Sequence, residues 1–238
     1  AIERLDGMGP KVVYCIGAKA CYAVHKAMPK MPLVYSTIYE PRRYGIEGDK
    51  VTGVTMRVEP ITFLSQFTGL FPSVKSIGVV RGPEMSDGEW LELAAAGVEL
   101  DLAVVDQRVR EARDVRSAML LLAKKEVDAV WVPPDRSILT SENYRNLTEE
   151  ARRRRLPLLV DTRNMVEAGG LYTLAPDAQA VGQQAARLVQ RILDGERPGD
   201  MRVQDPEKLL VVLNAATIAR AELEFDRLLL DFVDVVVD

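Results

Sequence analysis

Short β-rich runs alternate along this chain with longer stretches of helical periodicity, and no other feature restricts its fold so tightly. "KVVYCI" (11–16), "PLVYST" (32–37), "VTGVTM" (51–56), "KSIGVV" (75–80), "ELDLAVV" (99–105), "VDAVWV" (127–132), "LPLLVD" (156–161), "GLYTLA" (170–175) and "KLLVVLN" (208–214) read as strands. Between them stand segments that read as helices: 18–28, a stretch opened by Pro60, the residues after Ser86 and Glu89 (a capping-box spacing), 110–125 and 140–155. Asp177 then caps a long helix with apolar positions at Val181, Ala185, Leu188, Val189 and Ile192, which Gly195 stops, and helical sequence follows the last strand. This alternation of strand and helix predicts βαβ units and parallel sheets, an α/β fold.

The middle of the chain, about 58 to 175, carries some five strands and makes a complete doubly wound domain. The front, 1 to 56, has three, and a sheet that small buries too little surface to stand well alone. We therefore expect the long helix 177–194 to return to the front, and N-terminal units of the first lobe to be absent from this chain. Ala1 in place of an initiating Met fits a processed or cropped product, so a missing signal peptide says little about localisation.

Composition excludes more than it assigns. A net charge of −4 gives no reason to expect nucleic acid, and no apolar run approaches the roughly 20 residues of a spanning helix. Cys15 and Cys21 have no metal-motif companions and His25 is the one histidine, so no metal site is expected. One cysteine falls in a strand and the other in the next helix, which reads as poor geometry for a bridge; both are expected as small core residues. With no Ser–His–Asp set, no G-x-S-x-G and no P-loop, we expect neither an enzyme nor a cofactor. "ARRRRL" (151–156) reads as a solvated helix end, where cations are favoured.

"VDAVWVPPD", "GDKVTGVTM", "VVYCIGAKACYAV" and "LPLLVDTRNMVEAGGLYTLAPDAQAVGQQAARLVQRILDGERPGDMRV" together resemble the ABC-transporter substrate-binding proteins of the tryptophan/tyrosine-binding kind, in order along nearly the whole chain. The resemblance implies a type I periplasmic-binding-protein fold with a ligand cleft between two lobes. It places the first lobe at 1–56 plus 177–198 and the second at 58–175 plus 204–238, with crossovers near 55–59, 173–177 and 198–204. It implies a solute-binding protein of an ABC importer, periplasmic or extracellular, with or without a lipid anchor, that closes on a small ligand, an aromatic amino acid first, and meets an ABC permease. The alternative is the ligand-sensing domain of a signalling or regulatory protein, since fold alone does not separate these uses. An unpaired first-lobe edge would favour a homodimer.

Ligands of open parallel sheets sit beyond the carboxyl ends of strands. An amino acid needs an acceptor for its ammonium and donors for its carboxylate. Gly17, Ala18, Lys19 and Ala20 form a strand-to-helix turn suited to a carboxylate, or else only a tight turn; the family usually has a hydroxyl where Ala18 stands. Ser36 and Thr37 end the next strand, ahead of Glu40-Pro41 where the family commonly shows Asp-Pro. Pro134 and Asp135 end "VDAVWV", and Asp135 is either an ammonium acceptor or a cap for the following helix. Asp161, which ends "LPLLVD", is the second choice for the ammonium partner. Tyr172 either stacks on a ligand ring or is an interior residue. Arg81 and Glu84 read as surface charge, and Trp131 as core.

Overall fold

The computed structural model describes residues 2–225 and 227–238. The chain divides into two compact units, Ala1–Val58 with Pro176–Leu209, and Glu59–Ala175 with Leu210–Asp238.

The first unit opens with α1 (Ile2–Gly7), β1 (Val13–Ile16), α2 (Ala18–Ala27), β2 (Leu33–Ile38) and β3 (Val51–Thr55). The strands form a parallel sheet in the order β1-β2-β3. Successive side chains of a strand point to opposite faces, and here both faces are apolar. On one, Leu33, Tyr35 and Val51 pack with Cys21, Val24 and Met28 of α2. On the other, Val34 and Val54 meet Val181, Ala185 and Leu188. Those three belong to a later helix, α8, which returns to this sheet after the chain has built the second unit.

The second unit runs α3 (Pro60–Leu70), β4 (Ser76–Arg81), α4 (Asp87–Glu99), β5 (Ala103–Arg108), α5 (Val115–Lys124), β6 (Ala129–Trp131), α6 (Ser141–Arg154), β7 (Leu158–Leu159), α7 (Arg163–Glu167) and β8 (Tyr172–Pro176). After α8 (Ala178–Leu193) the chain comes back as β9 (Leu209–Asn214), α9 (Ala215–Ala221) and β10 (Val235–Val237). Seven strands line up as β10-β9-β8-β7-β6-β4-β5. The order grows outward from β4 in both directions, so the winding reverses between β4 and β6. That is the switch point at which doubly wound sheets open a crevice.

One face of this sheet packs Val80, Val130, Leu158 and Val160 against Met119 and Leu122 of α5 and Leu147 of α6. On α3, Phe63 stacks on Trp131 with ring centroids 4.5 Å apart, and Phe63 and Phe67 both meet the Tyr172 ring. α4 carries the capping box expected for it: the Ser86 side chain accepts from the Glu89 N–H while the Glu89 carboxylate takes the Ser86 N–H. Ser86→Ala is expected to lower stability by about 1 kcal/mol, a fall in Tm of about 2–4 °C by calorimetry.

Three expectations change. The strand predicted over 99–105 begins at Ala103, because α4 continues through Glu99 and the Leu100 N–H closes onto Ala96 O. It then runs on through Asp106, Gln107 and Arg108 as a polar edge strand, which a search for apolar runs overlooks. The C-terminal sequence, read as helical, is helical only in α9; its valines form β10, started by a two-way clasp in which Asp234 N–H donates to Val211 O and Asp234 Oδ2 accepts from Val211 N–H. Cys15 and Cys21 are bridged, with Cα atoms 5.4 Å apart. The turn at Gly17 folds the start of α2 back beneath β1, so strand and helix bring the two cysteines within disulfide reach. They are core residues as well, 6% and 0% exposed.

Candidate functional site

In the first unit the carboxyl ends of β1 and β2 lie side by side, Ile16 opposite Ser36. The turn after β1 is drawn against them by the Gly17 N–H, which donates to Ser36 O at 2.9 Å. Gly17 has φ of 83°, in the left-handed region where a side chain is costly, and the space where its Cβ would stand is open. α2 follows at once, and no side chain caps it. The N–H groups of Ala18, Lys19 and Ala20 therefore point out of the helix without intrahelical partners, at the positive end of its dipole. The donors at this turn are backbone groups, with no hydroxyl of the turn bonded to them. In contrast α4, α6, α7, α8 and α9 have their first amides covered by Ser86, Thr140, Thr162, Asp177 and Asn214.

Ser36 is buried, its hydroxyl 2.7 Å from that of Tyr14, a half-exposed ring on β1 that the sequence reading did not select. The apolar run "KVVYCI" gives no signal for it; the outward phase of Tyr14 is seen only in the burial that alternates along β1. Thr37 is exposed and takes φ of 61°, a conformation that β-branched residues rarely adopt. Gly17 to Ala20, Ser36 and Thr37 are thus gathered at one strand end.

In the second unit Pro134, Asp135 and Asp161 end the adjacent strands β6 and β7. Their carboxylates are in opposite situations. Asp135 is 3% exposed and both its oxygens are occupied: Oδ2 accepts from the Glu84 N–H at 2.8 Å, and Oδ1 accepts from the Ser137 N–H at 2.9 Å and from the Ser137 hydroxyl. It does not cap α6, whose cap is Thr140. It clamps the loop after β4 to the loop after β6, across the switch point. Gly82 makes this possible, since a Cβ there would stand 2.1 Å from Asp135 Oδ2.

Asp161 is partly exposed and has no hydrogen bond or ion pair among the described residues. Surrounding protein strips water from it, and this desolvation raises its carboxyl from 3.8 to about 6. It is a carboxylate at a strand end with unfilled acceptor capacity, the condition an ammonium group would relieve.

Tyr172 is elsewhere in role: its ring is fully buried between Phe63 and Phe67, and its hydroxyl donates to Phe63 O at 3.1 Å. Arg81, read as surface charge, is 4% exposed; it pairs with Asp87 and Asp106 and lies 5.3 Å over the Trp90 ring. A strand end at a switch point buries what a loop would expose. The "ARRRRL" run does close α6, and Arg153 and Arg154 reach back to the buried Glu150, which Arg116 also pairs. Among the described residues no cluster of three or more His, Cys, Asp or Glu forms a metal site, and no helix is long and apolar enough to cross a membrane.

Two units of parallel sheet with interleaved helices have the fold of binding proteins of the periplasmic type. The chain belongs to the ABC transporter substrate binding protein family, whose sequence profile matches residues 1–234. That is a family of substrate-binding proteins, not of enzymes, and its members work outside the cytoplasm. A "Tyrosine-binding protein" of Clostridioides difficile (strain R20291) is 21% identical over 221 residues. The match covers 90% of this chain and 63% of that relative's length. An ABC domain from Streptococcus pneumonia in complex with L-Trp aligns with a TM-score of 0.74 at 22% identity, over 99% of this chain and 84% of that one. A ligand-free, open substrate binding protein with adhesive properties from Clostridium difficile aligns with a TM-score of 0.81 at 17% identity, over 99% and 81%. At these identities the two structures speak for the fold.

Proposed function

We propose that this chain is the extracytoplasmic solute-binding component of an ABC importer and that it captures an amino acid, aromatic before others, by closure of its two units for delivery to a permease. The observation that carries the amino-acid reading is Asp161, a carboxylate at a strand end with no hydrogen-bond or ion-pair partner among the described residues and a carboxyl raised to about 6. An ammonium ligand supplies the missing charge. The turn into α2, with Gly17, Ala18, Lys19 and Ala20, offers backbone donors suited to a carboxylate, and Ser36 and Thr37 flank it. Asp135 and Pro134 act one step back, fixing the loop shape at the switch point. The aromatic preference follows the names of the relatives, one tyrosine-binding and one holding L-Trp. The Cys15–Cys21 bridge supports an oxidising compartment, because disulfides persist outside the cytoplasm and are rare within it.

The test is a thermal-shift series against the twenty amino acids. At about 100 times its dissociation constant a ligand stabilises by roughly 2.7 kcal/mol, a rise of about 5–10 °C for a chain of this size. Tyrosine or tryptophan is expected to give that rise. A flat response to every amino acid would sink the amino-acid reading.

A further inference from the structure

We propose that the indole N–H of Trp131 is a ligand donor, set beside Asp161 so that the second unit grips the charged head of an amino acid: Asp161 takes the ammonium and Trp131 donates to a carboxylate oxygen. The proposal rests on the amino-acid reading given above and names a specificity residue for it.

Trp131 is the last residue of β6, one of the two strands that flank the switch point. Its side chain is 7% exposed, and its Nε1 is buried without a hydrogen-bond partner. Other buried polar atoms also lack partners, among them the hydroxyls of Thr173 and Thr217. A hydroxyl rotates about its C–O bond and both donates and accepts. An indole N–H only donates, in the one direction that the ring plane allows. That plane is held by the Phe63 ring, whose centroid lies 4.5 Å away and which is 7° from parallel. A buried donor with nothing to receive it costs free energy, and a Phe side chain would keep the stack without that cost. Packing therefore accounts for the ring of Trp131 and leaves its N–H without a role.

The strand register shows what stands beside that N–H. β6 and β7 are parallel, with Trp131 opposite Leu159, so these two side chains share a face of the sheet. Val160 turns to the other face, where it packs with Val130 and Leu158. Alternation then returns Asp161 to the face of Trp131, about 7 Å farther towards the carboxyl end. One face of two adjacent strand ends thus carries a donor without an acceptor and, among the described residues, an acceptor without a donor. Neither relieves the other. An α-amino acid brings the complement of both, an ammonium and a carboxylate on one carbon, and its carboxylate keeps lone pairs for further donors.

The test combines calorimetry with nuclear magnetic resonance on the whole chain, as parent and as Trp131→Phe. The probes are L-tyrosine and tyramine, which keeps the ammonium and the ring but lacks the carboxylate. Trp90 and Trp131 are the two tryptophans, so a nitrogen-labelled sample gives two side-chain indole signals, which Trp131→Phe or Trp90→Phe assigns. L-tyrosine is expected to move the Trp131 signal downfield and to slow its exchange with solvent, while tyramine leaves it near its free position. Trp131→Phe is expected to weaken L-tyrosine by about 10- to 30-fold, the worth of a hydrogen bond to a charged group, and tyramine by less than about threefold. A Trp131 signal that ignores L-tyrosine, when calorimetry shows it bound, overturns the proposal and leaves the amino-acid reading standing. So does a signal that answers both probes alike, which ring contact alone explains, or an equal loss for both probes in Trp131→Phe, which marks a packing role. If calorimetry shows neither probe bound, the aromatic amino-acid reading fails and the Trp131 assignment falls with it.

Discussion

Asp161→Asn is expected to weaken binding of a tyrosine or tryptophan ligand by about 100-fold and, at pH 7, to make the ligand-free protein more stable than the parent. The loss follows from removing one partner of a desolvated charge pair, which typically costs 2–5 kcal/mol, and about 2.7 kcal/mol is 100-fold. The gain comes from the same feature. The folded carboxyl titrates near 6 and the unfolded one near 3.8, so between those values the native state holds more protons than the unfolded state. Stability from this group is therefore greatest below pH 4 and is lost as pH rises through 6, by at most about 3 kcal/mol at 1.36 kcal/mol per pH unit. Asn does not ionise and escapes that loss. Binding runs the other way: a ligand ammonium requires the ionised carboxylate, so parent affinity should fall about tenfold per pH unit below 6 while the Asn variant stays flat. Calorimetric titration and urea unfolding at pH 5 and pH 7 measure both halves. Both tryptophans, Trp90 and Trp131, lie in the second unit with Asp161, so their fluorescence follows the unfolding of that unit alone. A variant that binds normally, or shows the parent's slope of stability with pH, would falsify the assignment.

Local periodicity and long-range placement differ in how far the sequence shows them. The alternation of strands and helices depends on local periodicity and burial, and β1 to β4, α3 and α8 stand close to where "KVVYCI", "PLVYST", "VTGVTM", "KSIGVV", Pro60 and Asp177 put them. The place of Asp161 at a strand end also follows from the sequence, which ends "LPLLVD" on it. Its isolation was not legible, because a missing partner is a property of every neighbour at once. Nor was the engagement of Asp135, whose partners Glu84 and Ser137 come from two loops, 51 residues away and two residues away. The disulfide was missed for a related reason: six residues of separation look unfavourable until a left-handed glycine reverses the chain between the cysteines. The polar strand β5 and the burial of Arg81 are edge and switch-point effects, set by strand order and invisible to a window moving along the chain.

Asp135→Ala is expected to lower the stability of the second unit by about 4 kcal/mol. Three hydrogen bonds to the side chain disappear, each worth about 1–1.5 kcal/mol, and the Glu84 and Ser137 N–H groups must find new partners. Gly82→Ala should reproduce much of this without touching the carboxylate, because its Cβ would fall 2.1 Å from Oδ2 and force the clamp open. The two changes act on one contact, so the double variant should be far less destabilised than the sum of the singles. Urea unfolding followed by tryptophan fluorescence measures all three. Ligand affinity decides what the clamp is for. If Asp135 shapes the switch-point loops, both variants weaken binding to a similar degree, and only through the loss of loop order. If Asp135 itself takes the ammonium, Asp135→Ala abolishes binding while Gly82→Ala, which keeps the charge in place, largely spares it. The occupied state of both Asp135 oxygens favours the first outcome and leaves the ammonium to Asp161.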